Sequence, residues 1–357
     1  MKTAFISKSS IAHNISEIRK LTSSEILAMV KADAYGHDVH IVVPALLELG
    51  IKRFGVATLQ EALTVSRLGA KWILIMGTTD QYEPSILDEL ALKGIRIVIN
   101  NADFGRFVLA NTKKLKAHIM IDTGMHRHGI LYSNIDSIKK LLATFPGRIE
   151  GILTHFAKAD SDEEVTRTQI NRFMSVLNEI PREDLIVHAA NSSAIYNYPE
   201  VHFDMVRPGI AIYGYSEIPE FDKKLKRVMR VEATVSDIRE IPPGEGVSYG
   251  WRFIADKPTR VATVSMGYAD GYKRILSCKV WAGIKGKTAR QIGNIAMDFS
   301  MFDITDIDGV KVGDKVVIMG EWKEGSIWAN DMANLAGTIP YEILVSFGKR
   351  VERKEIE

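Results

Sequence analysis

The first 225 or so of the 357 residues alternate short apolar runs with stretches whose apolar residues recur every three to four positions. The apolar runs are rich in Ile and Val and are bounded by Gly, Asp or Asn, which is typical of buried parallel strands. They cover residues 26–31, 54–58, 72–77, 95–100, 117–122, 149–156, 185–190 and 203–208. Amphipathic stretches at 40–49, 59–68, 85–93, 135–145 and 164–180 predict helices between them. Eight strands alternating with helices predict an α/β fold, a (β/α)8 TIM barrel.

A doubly wound sheet is the alternative for alternating strands and helices. It would have fewer strands, or a glycine-rich dinucleotide turn after the first strand. The sequence contains no G-x-G-x-x-G motif. The barrel is therefore the favoured architecture.

The pattern changes after residue 225. Strand-like runs follow at 228–241, 259–266, 278–281, 289–299 and 315–319, separated by Gly- and Pro-containing turns, and a helical pattern returns only at 329–336. We therefore predict a barrel over residues 7–224 and a mostly β-strand C-terminal domain over 225–357, which residues 1–6 could join.

Charge and cysteine content exclude several classes of protein. The net charge is +2, from 46 basic and 44 acidic residues, which leaves no basic surface for a nucleic acid or a membrane. The first residues lack the apolar segment of a signal peptide, and no apolar run is long enough to span a bilayer. Cys278 has no second cysteine to pair with, as expected in a reducing compartment. These features predict a soluble cytoplasmic protein.

Unusual polar residues collect where the predicted strands end. Lys31 ends the first strand, Arg127 follows the fifth, and His155 lies near the end of the sixth. The loops after the seventh and eighth strands carry Asn191, Ser192, Arg207 and Gly209. The carboxyl ends of the strands of such a barrel form one face, and active sites are built there. We therefore expect these residues to form a site.

The residue types at this face indicate the chemistry. A desolvated lysine can form a Schiff base with an aldehyde, and the loops after strands seven and eight commonly hold phosphate through backbone N–H groups and hydroxyls. Ser192 and the Gly209–Ile210 backbone suit that role. A lysine opposite a phosphate cradle is what pyridoxal 5'-phosphate requires. An aldolase would also use a barrel lysine, but more usually on a middle strand.

Motifs along nearly the whole chain resemble those of alanine racemases, which are pyridoxal phosphate enzymes. In order, they begin with Val30-Lys31-Ala32-Asp33-Ala34-Tyr35-Gly36-His37, Asp122-Thr123-Gly124-Met125-His126-Arg127-His128-Gly129, Thr154-His155-Phe156-Ala157 and Asn191-Ser192-Ser193. They continue with Val206-Arg207-Pro208-Gly209-Ile210, Val247-Ser248-Tyr249-Gly250, Gly267-Tyr268-Ala269-Asp270-Gly271, Met297-Asp298 and Pro340-Tyr341-Glu342. Nine motifs in the same order make a chance similarity negligible.

The resemblance implies a role for each of these residues. Lys31 carries the cofactor as an aldimine and serves as one acid/base, while Tyr249 serves as the other, reaching the site from the second subunit of a head-to-tail homodimer. Racemisation needs two such groups because a proton leaves one face of Cα and returns to the other.

The remaining roles concern the cofactor and the substrate. Arg207 contacts the pyridine nitrogen with support from His155, and Arg127 touches the phenolic oxygen and the substrate carboxylate. The residues implied to hold the phosphate are Tyr35, Ser192, Gly209, Ile210 and Tyr341, and Asn191 is expected to be a further cofactor-binding residue. Tyr268 and Met297 line the substrate entrance or bind the carboxylate. No metal site is implied.

One position departs from the family pattern. Many alanine racemases have a carbamylated lysine two residues before the aspartate of the D-T-G-M motif, where it steadies the arginine. This chain has Met120 there, so Arg127 needs another partner, and His128 stands where an apolar residue is common. The choice between alanine, serine and a broader set of amino acids therefore stays open.

Two other classes of pyridoxal phosphate protein compete with a racemase. A non-catalytic carrier of the cofactor would lack a C-terminal β domain, whereas this chain has one with Tyr249 and Tyr268 in place. A barrel-plus-β-domain decarboxylase would have a glycine-rich phosphate loop and an acidic group at the pyridine nitrogen. Arg207 and the Asn191-Ser192 loop argue against it.

Overall fold

A computed structural model describes residues 2–77 and 83–357 of the chain. They separate into two compact units. One, the barrel unit, comprises Ser10–Ala34 and Val42–Lys226. The other, the β unit, comprises Tyr35–Ile41 and Arg227–Glu357 together with the start of the chain as far as Ser9. The segment Tyr35–Ile41 thus groups with the second unit although the sequence pattern runs through it without a break.

Strand β1 (Thr3–Ser7) belongs to the β unit, and the strands that follow it form the barrel. These strands are β2 (Glu25–Met29), β3 (Arg53–Val56), β4 (Trp72–Ile75), β5 (Ile95–Ile99), β6 (Ala117–Asp122), β7 (Ile130–Leu131), β8 (Ile149–Leu153), β9 (Ile186–His188) and β10 (Met205–Val206). They pair in parallel in the order β10-β2-β3-β4-β5-β6-β8-β9, with β7 beside β6. The Asp204 N–H donates to the Val187 carbonyl at 3.1 Å, and the Arg207 N–H donates to the Ala190 carbonyl at 2.8 Å, which joins β9 to β10. The predicted eight-stranded barrel is confirmed.

The helices of this part of the chain follow the strands. They are α1 (Lys8–Leu21), α2 (Lys31–Gly36), α3 (Val39–Glu48), α4 (Leu59–Arg67), α5 (Pro84–Leu92), α6 (Ala102–Ala110), α7 (Ile135–Thr144), α8 (Glu163–Glu179), α9 (Ser192–Asn197) and α10 (Pro219–Asp222). Side-chain caps define where several of these helices begin. The side chains of Asn101, Asp162 and Asn191 each accept a hydrogen bond from a backbone N–H in the first turn of α6, α8 and α9, respectively. Helices α1, α2, α6, α9 and α10 were not predicted from the sequence, although Ile11, Ile15 and Ile18 of α1 are buried at helical spacing.

The β unit is built on one sheet. Its further strands are β11 (Met229–Ile241), β12 (Gly246–Val247), β13 (Phe253–Ile254), β14 (Thr259–Val264), β15 (Trp281–Ile284), β16 (Lys287–Ile292), β17 (Ser300–Asp303), β18 (Lys315–Trp322), β19 (Gly325–Ile327) and β20 (Glu352–Ile356). The sheet order is β19-β18-β15-β16-β17-β14-β11-β1-β20, while β12 and β13 form a separate hairpin. Helices α11 (Ala329–Ala336) and α12 (Pro340–Ser346) complete the unit. The mostly β-strand character predicted for the C-terminal part is confirmed.

The strand predicted at 278–281 is wrong. Cys278 has a φ of 62°, outside the range of a strand, and its backbone N–H donates to the side chain of Gln291. The strand β15 therefore begins only at Trp281.

Within the described ranges, none of the helices has the length and apolar character that crossing a membrane would require.

Candidate active site

Lys31 begins α2, which is a left-handed helical turn separated by one residue from the end of strand β2. Residues 32–35 have φ between 52° and 55°, which L-residues adopt only at a cost of roughly 1–2 kcal/mol each. Two hydrogen bonds in the barrel unit hold the start of the turn. The Ala34 N–H donates to the Val30 carbonyl at 3.0 Å, and the Ala32 N–H donates to the Glu61 carboxylate at 2.8 Å. The lysine is thus fixed by the turn and does not extend the strand.

The amine of Lys31 lies in an environment that disfavours its charged form. Burial lowers the pKa of Lys31, and the positive charge of Arg127 lowers it further, whereas the Glu61 carboxylate acts in the opposite direction. A lysine with a lowered pKa is more often present as the neutral amine, which is the nucleophile that attacks an aldehyde.

The guanidinium of Arg207 is buried and held on several sides. One nitrogen, Nη2, donates to the carbonyls of Thr154 at 2.7 Å and Ala189 at 2.8 Å and lies 3.2 Å from Nδ1 of His155. The other, Nη1, lies 3.1 Å from Nδ1 of His188. Burial lowers the pKa of Arg207 to about 9, so it is still protonated at neutral pH. A cation this constrained can direct a donor at one fixed point.

His155 is a neutral imidazole beside this arginine. Burial and the positive charges of Arg207, Arg127 and Lys31 hold its pKa well below the usual value. Since arginine only donates, Nδ1 of His155 accepts from Arg207 and the ring hydrogen lies on Nε2. The side chain of Gln169 on α8 fixes the local backbone, because its Nε2 donates to the His155 carbonyl at 3.1 Å.

The loops after β9 and β10 meet at Ser192. Its hydroxyl oxygen accepts from the Gly209 N–H at 2.9 Å and from the Ala211 N–H at 3.3 Å. Ile210 begins a 3₁₀ turn, Ile210–Tyr213, and the first N–H of such a turn has no partner within the turn. Asn191 caps α9, since its side-chain oxygen accepts from the Ala194 N–H at 3.0 Å. A hydroxyl and backbone N–H groups together suit an anionic oxygen.

Arg127 lies in an exposed loop after β6 that Asp122 organises. The Asp122 carboxylate accepts from the N–H groups of Gly124 at 2.9 Å and His126 at 3.1 Å. Met120, Arg127 and His128 line a small cavity here, together with Ile121, Asp122, Met125 and His155. Met120 itself is buried in β6.

In the β unit, Tyr249 projects from the turn between β12 and β13. Its carbonyl accepts from the Asn294 side chain at 2.7 Å, and Ser248 donates its hydroxyl to the Asn294 carbonyl at 2.7 Å. The Tyr249 side chain nevertheless remains 76% exposed in the single chain, and neighbouring Trp251 is 54% exposed. Hydrogen bonds therefore fix the backbone of this turn, whereas its aromatic side chains are exposed to solvent.

Tyr268 and Met297 are neighbours in the same unit. The Tyr268 N–H donates to the Ala296 carbonyl at 3.0 Å, and the Ala269 N–H donates to the Met297 carbonyl at 2.9 Å. Gly267 permits this approach, because a Cβ there would lie 2.3 Å from the Met297 carbonyl oxygen. Both side chains are exposed, at 41% for Tyr268 and 53% for Met297.

Tyr35 and Tyr341 also lie together in the β unit, with ring centroids 5.9 Å apart. Gly36 lets the two backbones approach, because a Cβ there would lie 2.5 Å from the Leu344 carbonyl oxygen on α12. The structure thus brings Lys31, Arg127, His155 and Arg207 into one electrostatic group of the barrel unit, and pairs Tyr268 with Met297 and Tyr35 with Tyr341 in the other.

Several side chains that organise these groups were not found from the sequence. They are Glu61, Gln169 and His188 in the barrel unit and Asp270 in the β unit, whose buried carboxylate accepts from the Gly267 N–H at 2.9 Å. Glu61 and Asp270 had a local signal, since Thr58 and Glu61 form a capping box at the start of α4 and Asp270 belongs to the same motif as Gly267. Gln169 and His188 contact residues that no motif links to them.

Comparison with known proteins agrees with the geometry of both units. The family models "Alanine racemase, N-terminal domain" and "Alanine racemase, C-terminal domain" match residues 6–217 and 228–355. The alanine racemase of Coprothermobacter proteolyticus is 41% identical over 353 residues, 99% of this chain and 98% of that protein.

Solved structures match over the same length. The biosynthetic alanine racemase from Pseudomonas aeruginosa has a TM-score of 0.90 at 31% identity, over 100% of this chain and 99% of that one. The alanine racemase from Bartonella henselae with covalently bound pyridoxal phosphate has a TM-score of 0.89 at 32% identity, over 99% of each chain. The motifs, the fold and full-length identity agree, and this chain belongs to the alanine racemase family.

Proposed function

We propose that this protein interconverts L- and D-alanine with pyridoxal 5'-phosphate as its cofactor. The observation that carries the proposal is the environment of Lys31, whose pKa is lowered by burial and by Arg127. The 41% sequence identity to the alanine racemase of Coprothermobacter proteolyticus, over nearly the full length of both proteins, supports the same activity.

The donor set of the barrel unit fits this cofactor. Lys31 offers an amine with a lowered pKa for its aldehyde, and the buried cation of Arg207 offers a donor for its ring nitrogen. The Ser192 hydroxyl and the backbone N–H of Ile210 offer donors for a phosphate, and the Gly209 N–H holds the Ser192 oxygen beside them. Tyr35 and Tyr341 complete the phosphate ligands that we propose from the family pattern, and Asn191 is a further cofactor-binding residue in this proposal.

Two acid/base groups carry out the proton transfers in this proposal. When bound, the cofactor withdraws electron density from the substrate Cα and so acidifies its hydrogen. Lys31 takes up or returns the proton on one face, and Tyr249 does so on the other. Arg127 orients the substrate by binding the substrate's carboxylate. Tyr268 and Met297 narrow the substrate entrance, so that only amino acids with small side chains can enter. Arg207, a permanent donor with no lone pair to accept a proton, keeps the ring nitrogen unprotonated.

The exposed turn of the β unit supports assembly as a homodimer. Tyr249, Trp251, Ile254 and Phe299 are exposed apolar side chains, an uncommon surface for a protein that works alone. We propose a head-to-tail dimer in which Tyr249 of the partner subunit serves each site, and a cytoplasmic location consistent with the unpaired Cys278.

The test is incubation of the purified protein with L-alanine or D-alanine in deuterated water. A racemase forms the other enantiomer and incorporates deuterium at Cα from either side. A cofactor carrier would do neither, and a decarboxylase would release carbon dioxide. Retention of the α-hydrogen in both directions would refute the proposed function.

Serine or a broader set of amino acids is the alternative substrate class. The observation that favours it is the environment of Arg127, where Met120 and His128 line the adjoining cavity in place of the family's usual residues. Racemisation rates for alanine, serine and larger L-amino acids, measured side by side, decide between the two.

A further inference from the structure

A continuous line of polar side chains crosses the interior of the barrel unit. The guanidinium Nη1 of Arg207 lies 3.1 Å from Nδ1 of His188, and Nε2 of His188 lies 2.8 Å from Nδ1 of His118. Nε2 of His118 lies 3.6 Å from the Glu150 carboxylate, and none of the described residues forms a hydrogen bond with this nitrogen. Glu150 in turn accepts from Nε of Arg96 at 2.8 Å. The two histidines are fully buried, and Arg207 is almost fully buried.

The direction of this line is fixed by the arginine. Arginine donates and cannot accept, so Nδ1 of His188 must be the acceptor and its hydrogen lies on Nε2. That N–H then donates to Nδ1 of His118, which places the hydrogen of His118 on Nε2, facing Glu150. Both rings are neutral, because burial lowers the pKa of His118 and holds that of His188 well below its usual value.

The strands set the two ends of the line at different depths in the barrel. Glu150 and His118 are the second residues of β8 and β6, at the amino ends of those strands. His188 is the last residue of β9, and Arg207 follows β10 at the opposite end. The line therefore connects the candidate active-site face with the amino ends of the strands.

Neighbouring residues determine the space available to the His118 ring and the charge of Glu150. A Cβ at Gly151 would lie 2.2 Å from Nδ1 of His118, so only a glycine beside Glu150 admits the ring in this position. Burial opposes ionisation of Glu150, but its contacts with His118 and Arg96 outweigh that effect and lower its pKa to about 2. The line thus begins at an anion near the strand amino ends and finishes at the Arg207 cation.

This arrangement concerns how the buried positive charge of Arg207 is stabilised. A buried cation is stable only where it is paired or fully hydrogen-bonded. Among the described residues no carboxylate forms an ion pair with Arg207, whose side-chain partners are carbonyls and neutral imidazoles. Hydrogen-bonded groups polarise one another in one direction, and the negative charge of Glu150, 3.6 Å from Nε2 of His118, acts in the same direction, so it can strengthen the acceptor that faces the guanidinium.

We propose that His188, His118 and Glu150 are positioning residues that orient the Arg207 guanidinium through two ordered hydrogen bonds, from the guanidinium to His188 and from His188 to His118, and through the charge of the Glu150 carboxylate, which faces the His118 ring at 3.6 Å. They touch neither substrate nor cofactor. The consequence for catalysis rests on the proposed function, in which Arg207 faces the ring nitrogen, whereas the ordering of the histidines does not.

The experiment uses Glu150→Gln in the cofactor-loaded protein, with Glu179→Gln as the matched control. Glu179 pairs with Lys139 at 3.1 Å on the surface, away from the line. Glu150→Gln keeps the size of the side chain and an oxygen acceptor while removing the charge, so the fold should survive, as circular dichroism would verify. Nitrogen-15 NMR of the histidine rings, assigned with His118→Phe and His188→Phe, reports which nitrogen carries each hydrogen.

In the unsubstituted protein we expect both His188 and His118 to carry their hydrogen on Nε2. In Glu150→Gln the ring nitrogens of both should shift, and kcat for alanine should fall roughly tenfold with KM unchanged, the low end of the effect of outer-shell partners. Glu179→Gln should leave the ring signals and both constants unchanged.

Two results would overturn the inference. One is a hydrogen on Nδ1 of His188, or a doubly protonated ring, in the unsubstituted protein. The other is Glu150→Gln with unchanged ring signals or an unchanged kcat, even if its thermal stability falls. Absence of racemase activity in the unsubstituted protein would refute the proposed function instead, and the ring signals would still decide the order of the line.

Discussion

The hydroxyl oxygen of Ser192 accepts a hydrogen bond from the backbone N–H of Gly209 at 2.9 Å, which ties the loop after β9 to the loop after β10. The contact joins two residues proposed as phosphate ligands. It also makes their geometry interdependent, because a change at Ser192 affects the backbone donors of the next loop.

Ser192→Ala should weaken cofactor binding through the phosphate. Loss of one hydrogen bond to a charged group costs about 1.5–3 kcal/mol, so the Kd for pyridoxal phosphate should rise by about 10- to 150-fold. Titration of the cofactor-free protein by absorbance measures this, with Ser193→Ala as the control, since the Ser193 hydroxyl lies toward Glu217 at 3.5 Å. Affinity for pyridoxal, which lacks the phosphate, should not change. An equal loss of affinity for both compounds would contradict the assignment.

The reactivity of Lys31 should follow the charges around it. Arg127→Gln removes a positive charge and should raise the pKa of Lys31, whereas Glu61→Gln removes a negative charge and should lower it. Reductive methylation of the cofactor-free protein across a pH series, read by mass spectrometry of the Lys31 peptide, measures both shifts. The reaction needs the neutral amine, so the pH of half-maximal rate moves up for Arg127→Gln and down for Glu61→Gln. Exposed Lys71 is the internal reference, and shifts of equal sign in the two variants would exclude this account.

Lys31→Ala and Tyr249→Phe should each be inactive alone and active when mixed. If Tyr249 serves the partner subunit, a heterodimer of the two variants rebuilds one intact site of two. After subunit exchange, the mixture should recover at most about a quarter of the unsubstituted activity per subunit, since half of the dimers are mixed and each has one site. Mass spectrometry of differently tagged chains verifies the exchange. Proven exchange without recovery would mean that Tyr249 acts within its own chain.

Met120→Lys tests how Arg127 is held. Met120 is buried in β6 and lines a cavity with Arg127 and His128, so a carbamylated lysine there would supply the anionic brace found in relatives. We expect bicarbonate to lower KM for alanine in this variant and to reduce inhibition by chloride or acetate, while Met120→Leu behaves as the unsubstituted protein. A misplaced arginine can cost on the order of 10²-fold in rate, so the effect should be measurable. The brace idea should be dropped if KM and anion sensitivity stay unchanged.

Local patterns along the chain were enough to predict the architecture of both units. Alternation of apolar runs with helical patterns predicted the barrel, and strand β6 and helix α11 begin and end where the patterns predicted. The sequence also identified most residues of the candidate site, because strand ends are marked locally by a change from apolar to polar residues. Periodicity records which side chains face the core, and that is a property of neighbouring positions.

Which distant residues meet depends on how the strands assemble, and no local pattern predicts it. His118 and His188 are 70 positions apart, and the residues next to them in the sequence give no sign that they meet. They come into contact because β6 and β9 belong to the same closed barrel. The left-handed turn after Val30 is likewise invisible in its sequence, since Ala32 and Ala34 favour right-handed helix. It is held in part by Glu61, which begins to contact Ala32 only when two strand ends come together. Hydrogen-bond partners inside a barrel are fixed by closure, and closure is not a local property of the chain.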